Sequence, residues 1–451
     1  MKKKLRYLLL IILTWSFADA QDFWTETTPF PNNPDYYVKS ISIVDANTVW
    51  VLGVNNTNNW KRYAFSLDGG LTWADGPIST GGASASHVGS NIHAISANKA
   101  YLAIYADTPT VQGGVWVTEN SGATWTKQSS ALYNTGTDSN VGFLHFFNAN
   151  DGVVVGDVAG GYFEIYTTSN AGTNWIRVPS SNIQPPADGE YIYEARHYDA
   201  KLDAVWFGTN KGNIYQSFDN GYTWGKFQSP YPDFGGASES AHFAFRNPFD
   251  GLMVSNTWEL WRSGNGGGFW NNETDFYNGL LRNYNLVFVP QTTNTYFGWG
   301  MDILENNTGA SYSVNGGMDW NEIISEVSPS ITAKFYSAQV GYCTGYYNVN
   351  PGQLKFFRLT DPLDRLLQND SFATSPSLVV LPNPTSGLIR LTGANIESVM
   401  VCDLSGKVVL KQNYNAVHEA VLDLSALHNG MYLAKVSTGD GATSIAKIIK
   451  K

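Results

Sequence analysis

Between residues 41 and 347 the chain repeats one hydrophobic signature. The segments ISIVDANTVWVLG (41–53), HAISANKAYLAIYAD (93–107), LHFFNANDGVVVGD (144–157), EARHYDAKLDAVWFGTN (194–210), FAFRNPFDGLMVSN (243–256), LVFVPQTTNTYFGWGMD (286–302) and TAKFYSAQVGYCTGYY (332–347) all read alike. Each is an apolar run, a short polar turn and a second run rich in Val, Trp, Tyr and Gly, which predicts a pair of antiparallel strands. No segment after residue 20 sustains a long 3.6-residue apolar period, so the expected fold class is all-β.

Six octapeptides alternate with these segments: SLDGGLTW (66–73), TENSGATW (118–125), TSNAGTNW (168–175), SFDNGYTW (217–224), SGNGGGFW (263–270) and SVNGGMDW (313–320). Their tryptophans, Trp73, Trp125, Trp175, Trp224, Trp270 and Trp320, recur every 46 to 52 residues. A period of that size means a solenoid or a propeller. The chemistry is that of a turn. Asp68, Asn120, Asn170, Asp219, Asn265 and Asn315 can accept backbone N–H bonds further along the turn. Gly70, Gly122, Gly172, Gly221, Gly267 and Gly317 can supply a positive φ. The tryptophan then fills space between neighbouring sheets. Asn stands at four of the six Asp positions, and Asn cannot act as a general acid, so these are structural residues.

The octapeptide resembles the Asp-box, or bacterial neuraminidase (BNR), repeat. That resemblance implies the hairpin between the two outer strands of β-propeller blades in sialidases, sortilin-like receptors, some xyloglucan-cleaving glycosidases and a photosystem assembly factor. Functions that diverse make it a mark of scaffold, not of activity. Seven strand pairs against six octapeptides leave the last repeat incomplete. GQLKFFRLT (352–360) can be its third strand and DFWTETTPF (22–30) its fourth, so that the N-terminus closes the ring. The expectation is a seven-bladed propeller over 21–360, with six or eight blades as alternatives.

From 361 to 376 the pattern stops, and DPLDRLLQNDSFATSP reads as a linker. Residues 377–451 return to alternating strands with Pro-Asn-Pro, Ser-Gly and Asn-Gly turns, which predict a small β-sandwich. This tail resembles the type A C-terminal sorting domain of the type IX secretion system of Bacteroidetes-type bacteria. The matching residues are Pro382, Asn383, Pro384 and Gly387, Asp403 with Gly406 and Lys407, Leu422-Asp423-Leu424, Asn429, Gly430 and Tyr432, and the basic end Lys447–Lys451. The resemblance implies the type IX machinery as partner, passage across the outer membrane, removal of the tail, and release or surface attachment of the rest. An accessory carbohydrate-binding sandwich is the alternative. The N-terminus fits the same route. Lys2, Lys3, Lys4 and Arg6 precede the apolar run Leu8–Phe17, and Ala18-Asp19-Ala20 is a cleavage site, so residues 1–20 read as a signal peptide for export into the periplasm.

Charge narrows the partners. The net charge of −10 becomes more negative once the basic leader is gone, so nucleic acid is not an expected partner. No later stretch is long and apolar enough for a transmembrane helix. Cys343 and Cys402 fall in different predicted domains and are expected to be free thiols. No phosphate-cradling loop, nucleophile elbow or metalloprotease motif occurs, so neither cofactor nor metal is expected. His93, His145, His197 and His242 stand in the innermost strands of four consecutive repeats, but their ladder positions do not align, and they read as buried or channel-lining.

The octapeptides should crowd one face, leaving the loops after the second strands and between blades for a ligand. Asp107, Asp157 and Asp302 end second strands there and are the weak candidates for acid–base chemistry, although Asp is also an ordinary turn former. Trp60, Trp258, Tyr346 and Tyr347 are the candidate ligand-binding aromatics, suited to stacking on a sugar. The long loops 178–191 and 228–240 are candidate functional segments. A sialidase would need three arginines around one carboxylate, and Arg196, Arg246 and Arg282 are the available set. FRNP (245–248) faintly resembles that family's signature but follows four octapeptides. The reading favoured is an exported β-propeller that binds a glycan or a protein. The alternative is a glycoside hydrolase or lyase of a sialidase-like or xyloglucanase-like propeller class, with two opposed carboxylates.

Overall fold

A computed structural model describes residues 23–363 and 379–451, except 56, 59, 82–85, 107, 109–110, 132, 134–139, 194–196, 235–240, 303–306, 324, 349, 404–407 and 439–442. The chain divides into two compact units, 1–363 and 364–451. The leader and the linker expected at 1–20 and 361–376 lie, wholly or almost wholly, outside the described residues.

Among the described residues the first unit consists of seven antiparallel meanders. The first is Tyr36–Ile43, Val49–Asn55, Lys61–Ser66 and Ala74–Pro77, in that order. The next four repeat this plan, starting from His87–Ala94, Val141–Phe146, Tyr198–Lys201 and Ala241–Phe245. The sixth starts at Asn285–Phe288 and gains a fifth strand, Asn278–Gly279, which runs parallel to Asp319–Ile323. The seventh takes Val327–Phe335, Gly341–Tyr347 and Asn350–Leu359 in order, and its outermost strand is Trp24–Thr27 from the N-terminus. Trp24 pairs with Leu359 and Thr27 with Phe356.

Second strands such as Val49–Asn55 and Gly251–Ser255 are buried along their whole length. Strands covered on both faces read as continuous apolar runs. The core is therefore divided into layers between consecutive sheets. Trp50 and Leu52 of the first sheet meet Ile92 and Leu102 of the second. Val153 and Phe163 of the third meet Val205 and Phe207 of the fourth. The seventh sheet returns to the first, with Tyr342 and Phe356 against Val49, Val51 and Ala64.

All six octapeptides connect third and fourth strands and share one set of hydrogen bonds. The Ser or Thr hydroxyl accepts the glycine N–H at 2.8–2.9 Å. The Asp or Asn Oδ1 accepts the N–H four residues on at 2.9 Å. The glycines have φ of 78° to 95°, and the residues before them are also left-handed, including Ser121, Ala171 and Asn220. Gly122, Gly221 and Gly317 abut the preceding sheet. A Cβ on Gly122 would strike the Tyr63 ring, one on Gly221 would meet Val153 at 2.7 Å, and one on Gly317 would meet Leu252 at 2.6 Å. The tryptophan indoles of Trp224, Trp270 and Trp320 donate back to the glycine carbonyl of their own turn at 2.8–3.1 Å.

The second unit is one five-stranded sheet built on the long strand Leu388–Cys402. Its core is Ile389, Leu391, Val399, Val401, Ala420, Leu422, Ala434 and Ile448. The turn residues do recognisable work. Asn383 donates to the Lys447 carbonyl at 2.6 Å and accepts the Ile449 N–H at 2.8 Å. Gly387 leaves room for Ser425, and the Tyr432 hydroxyl donates to the His428 carbonyl at 2.8 Å. Gly406 and Lys407 lie outside the described residues. Cys343 and Cys402 are free, one in each unit.

Candidate functional site

Successive strands alternate in direction, so each octapeptide shares its face with the turn between first and second strands. Of the candidate carboxylates on the opposite face, Asp107 and the side chain of Asp302 lie outside the described residues. Asp157 accepts the Ile192 N–H at 2.9 Å, which makes it an anchor for the incoming chain. Trp60 stands on the loop after the first sheet's second strand and is 55% exposed, as a stacking residue would be. Trp258 is half-buried in a turn with φ 68°, its carbonyl taking the Tyr277 hydroxyl at 3.1 Å. Of the other two aromatics, one is buried and one half-buried. Tyr346 is buried, because its strand is covered on both sides, and Tyr347 packs edge-on against Phe357 with centroids 5.2 Å apart.

The long loop 178–191 folds around a buried Glu190. That carboxylate accepts from the Thr209 hydroxyl at 2.7 Å, the Asn213 amide at 2.8 Å and the Ala187 N–H at 2.6 Å, which together keep it ionised below its usual range despite burial. No arginine cluster forms between Arg246 and Arg282. Arg246 lies in a first turn on the octapeptide face and pairs with Asp250 at 2.8 Å. Arg282 lies between sheets at the other end and pairs with Glu322.

What the chain does enclose is a cavity of about 590 Å³. Its wall includes Ile41, Asn91, His145, Asp199, His242, Leu286 and Lys334, which together come from the first strands of all seven sheets. This volume falls in the range of small-molecule sites, roughly 300–1,000 Å³. The cavity is cationic. Lys39, Lys201 and Lys334 line it, and the carboxylate among its lining residues is Asp199. Asp199 is already occupied by Lys201 and the Ala200 N–H on one oxygen and by the Phe245 N–H on the other, at 2.7–2.9 Å.

Two of the four histidines do align. His93, His145 and Lys334 each sit one pair before the end of their ladder, opposite Tyr101, Val153 and Tyr342. His93 and His145 meet edge to face, with centroids 4.8 Å apart. Burial holds His93 down to about 4 and His145 well below its usual range, with the Lys334 charge adding to both. His197 and His242 form a second pair, 5.1 Å apart, at another level, where His197 bonds the Ala241 carbonyl at 2.8 Å. Among the described residues no group of three or more His, Cys, Asp or Glu could hold a metal.

A secretion system C-terminal sorting domain matches residues 379–451. A search of curated proteins finds no match. A structure of YCF48 bound to D1 peptide is 16% identical, covers 75% of this chain and 97% of its own, and superposes with a TM-score of 0.51. The GH74 xyloglucanase from Xanthomonas campestris is 12% identical, with 89% and 72% covered and a TM-score of 0.28. The extracellular domain of a hybrid two-component system from B. thetaiotaomicron is 10% identical, with 95% and 60% covered and a TM-score of 0.45. At these identities the likeness concerns fold alone. The chain thus carries a type IX secretion C-terminal sorting domain at 379–451 behind a region with a β-propeller fold.

Proposed function

We propose that this protein is an exported, secreted or cell-surface binding protein, a seven-bladed propeller of Asp-box type that receives a ligand in its central cavity. The leader at 1–20 and the sorting domain would carry it through the periplasm and across the outer membrane. One observation carries the binding reading: the cavity offers hydrogen-bond donors and aromatic faces, while its carboxylate, Asp199, is fully committed. Glycoside hydrolysis uses two carboxyl groups flanking the bond, one of them free to give up a proton. The ligand is a glycan or a protein segment small enough to enter the cavity, with Trp60 as an outlying contact. The test is a glycan and peptide binding screen on the full chain, with product analysis and hydroxyl-radical footprinting. Protection of Tyr37, Tyr105 and Tyr198 by an intact ligand supports the reading. Cleavage of the ligand, or protection confined to the outer surface, contradicts it.

A further inference from the structure

The cationic end of the cavity has a feature that general ligand binding does not require. The chain is acidic, with 38 Asp and Glu against 28 Lys and Arg, yet three lysines and one carboxylate line the cavity. A cavity lined by more cations than carboxylates presents a net positive field. Lys201 has a partner in Asp199, at 2.9 Å. Lys334 has no hydrogen-bond acceptor among the described residues. Its ammonium lies over the Tyr198 ring, 5.6 Å from the centroid, and that ring is stacked on Phe143 at 4.1 Å. Tyr198 belongs to the fourth sheet and Lys334 to the seventh, so the lysine reaches across the cavity. Burial lowers Lys334 from its usual range, and Asp199 only partly offsets that.

His93 and His145 are in the same position. Neither has a hydrogen-bond partner among the described residues, and each packs against aromatic rings. With their protonation suppressed at neutral pH, each imidazole carries one N–H to donate. Lys334 and His145 thus line the cavity near its octapeptide end, at one ladder level, and His93 adjoins His145 at that same level. Neutral donors alone would donate to water or a hydroxyl as readily as to an anion. The ammonium, which the Asp199 charge only partly offsets, selects for negative charge, and Asp199, the carboxylate among the lining residues, is already bonded to Lys201 and to two backbone N–H groups.

We propose that this end of the cavity is an oxyanion-binding site, in which Lys334, backed by Lys201, is the charge partner and His145, packed against His93, is an N–H donor to a carboxylate, phosphate or sulfate group of a small ligand. The inference rests on the cavity being the ligand site. It adds the chemical class, and it places the charged group deep in the channel, at the opposite end from Trp60.

The test uses the full chain labelled with ¹⁵N-histidine, titrated separately with acetate, inorganic phosphate and sulfate at constant ionic strength. The imidazole resonance of His145 reports the site directly and that of His93 through its contact with His145, and the three salts tell the carboxylate, phosphate and sulfate sources apart. The expected result is a saturable shift of both resonances with at least one salt. Lys334→Met should weaken it by at least about tenfold, the loss of one charged hydrogen bond. Lys334→Arg should retain it, and so should Lys355→Met, which removes a surface lysine paired with Glu26 at 3.2 Å. Lack of a saturable response with all three salts overturns the proposal, as does a response that survives Lys334→Met in a folded protein. An uncharged ligand footprinted in the cavity would overturn it too, while leaving the binding function intact.

Discussion

Each octapeptide glycine meets two demands at once, and they can be separated. Gly122 has φ 86° and faces the Tyr63 ring, whereas Gly160 has φ 69° and nothing within 4 Å of an added Cβ. Gly160→Ala should therefore lose only the left-handed penalty, about 1–2 kcal/mol. Gly122→Ala should lose that and a further 1–3 kcal/mol, roughly, of overpacking, measurable by urea unfolding. The Asp and Asn turns differ in acid. The Thr72 hydroxyl and N–H and the Ser66 hydroxyl hold Asp68 down to about 2. A carboxylate lowered in the folded state stabilises above its ordinary value of 3.8 and loses that contribution as pH falls towards 2. Asp68→Asn should leave stability near neutral pH within about 0.5 kcal/mol, since Asn120 makes the same bond, and should flatten the decline between pH 4 and 2. A variant as acid-sensitive as the parent would contradict this. The turn chemistry was legible because it repeats six times. The second left-handed position was not, because Ser, Ala, Asn and Gly all occupy it.

At the scale of elements, the N-terminal strand is the fastening. Trp24–Thr27 pairs with the seventh sheet, and Thr27 reaches the first octapeptide, donating to the Gly70 carbonyl at 2.6 Å and accepting the Trp73 indole N–H at 2.7 Å. Trp24 is buried among Phe297, Phe335 and Phe357. Trp24→Ala should cost about 3–5 kcal/mol. Thr27→Val should cost about 1 kcal/mol for each bond lost. Hydrogen exchange should localise both effects to the first and seventh sheets, and an effect spread evenly over all sheets would argue against a fastening role. Counting strands against octapeptides indicated this pairing. The two-residue outer strands Thr126–Lys127 and Asn271–Asn272 were not legible, being too short and polar to carry a pattern. The parallel strand at Asn278–Gly279 escaped for the same reason.

At the scale of the whole molecule, the tail and the cavity set the biology. Deleting 379–451 should trap the protein inside the outer membrane in a host with type IX secretion, and undiminished appearance outside the cell would contradict the assignment of the tail. The tail was readable because its motifs occur in order along one short stretch. The cavity was not. Lys39, Lys201 and Lys334 lie far apart in sequence, each alone in a first strand, and only closure of the sheets brings them together. The histidines drew notice as a set of four, yet the structure separates them into two pairs and joins one pair to a lysine. The exposed aromatics drew attention to the outer face for a related reason: Trp60 stands out in a polar loop, whereas a lysine at a strand end does not. The central claim is that this propeller holds an intact ligand within its channel. The most direct measurement is footprinting of the full chain with ligands selected from glycan and peptide libraries, with every bound molecule analysed for breakdown. The account predicts uncleaved ligand and protection of Tyr37, Tyr105 and Tyr198 that weakens in Lys334→Met. Cleaved product, or protection that leaves those three tyrosines untouched, would contradict it.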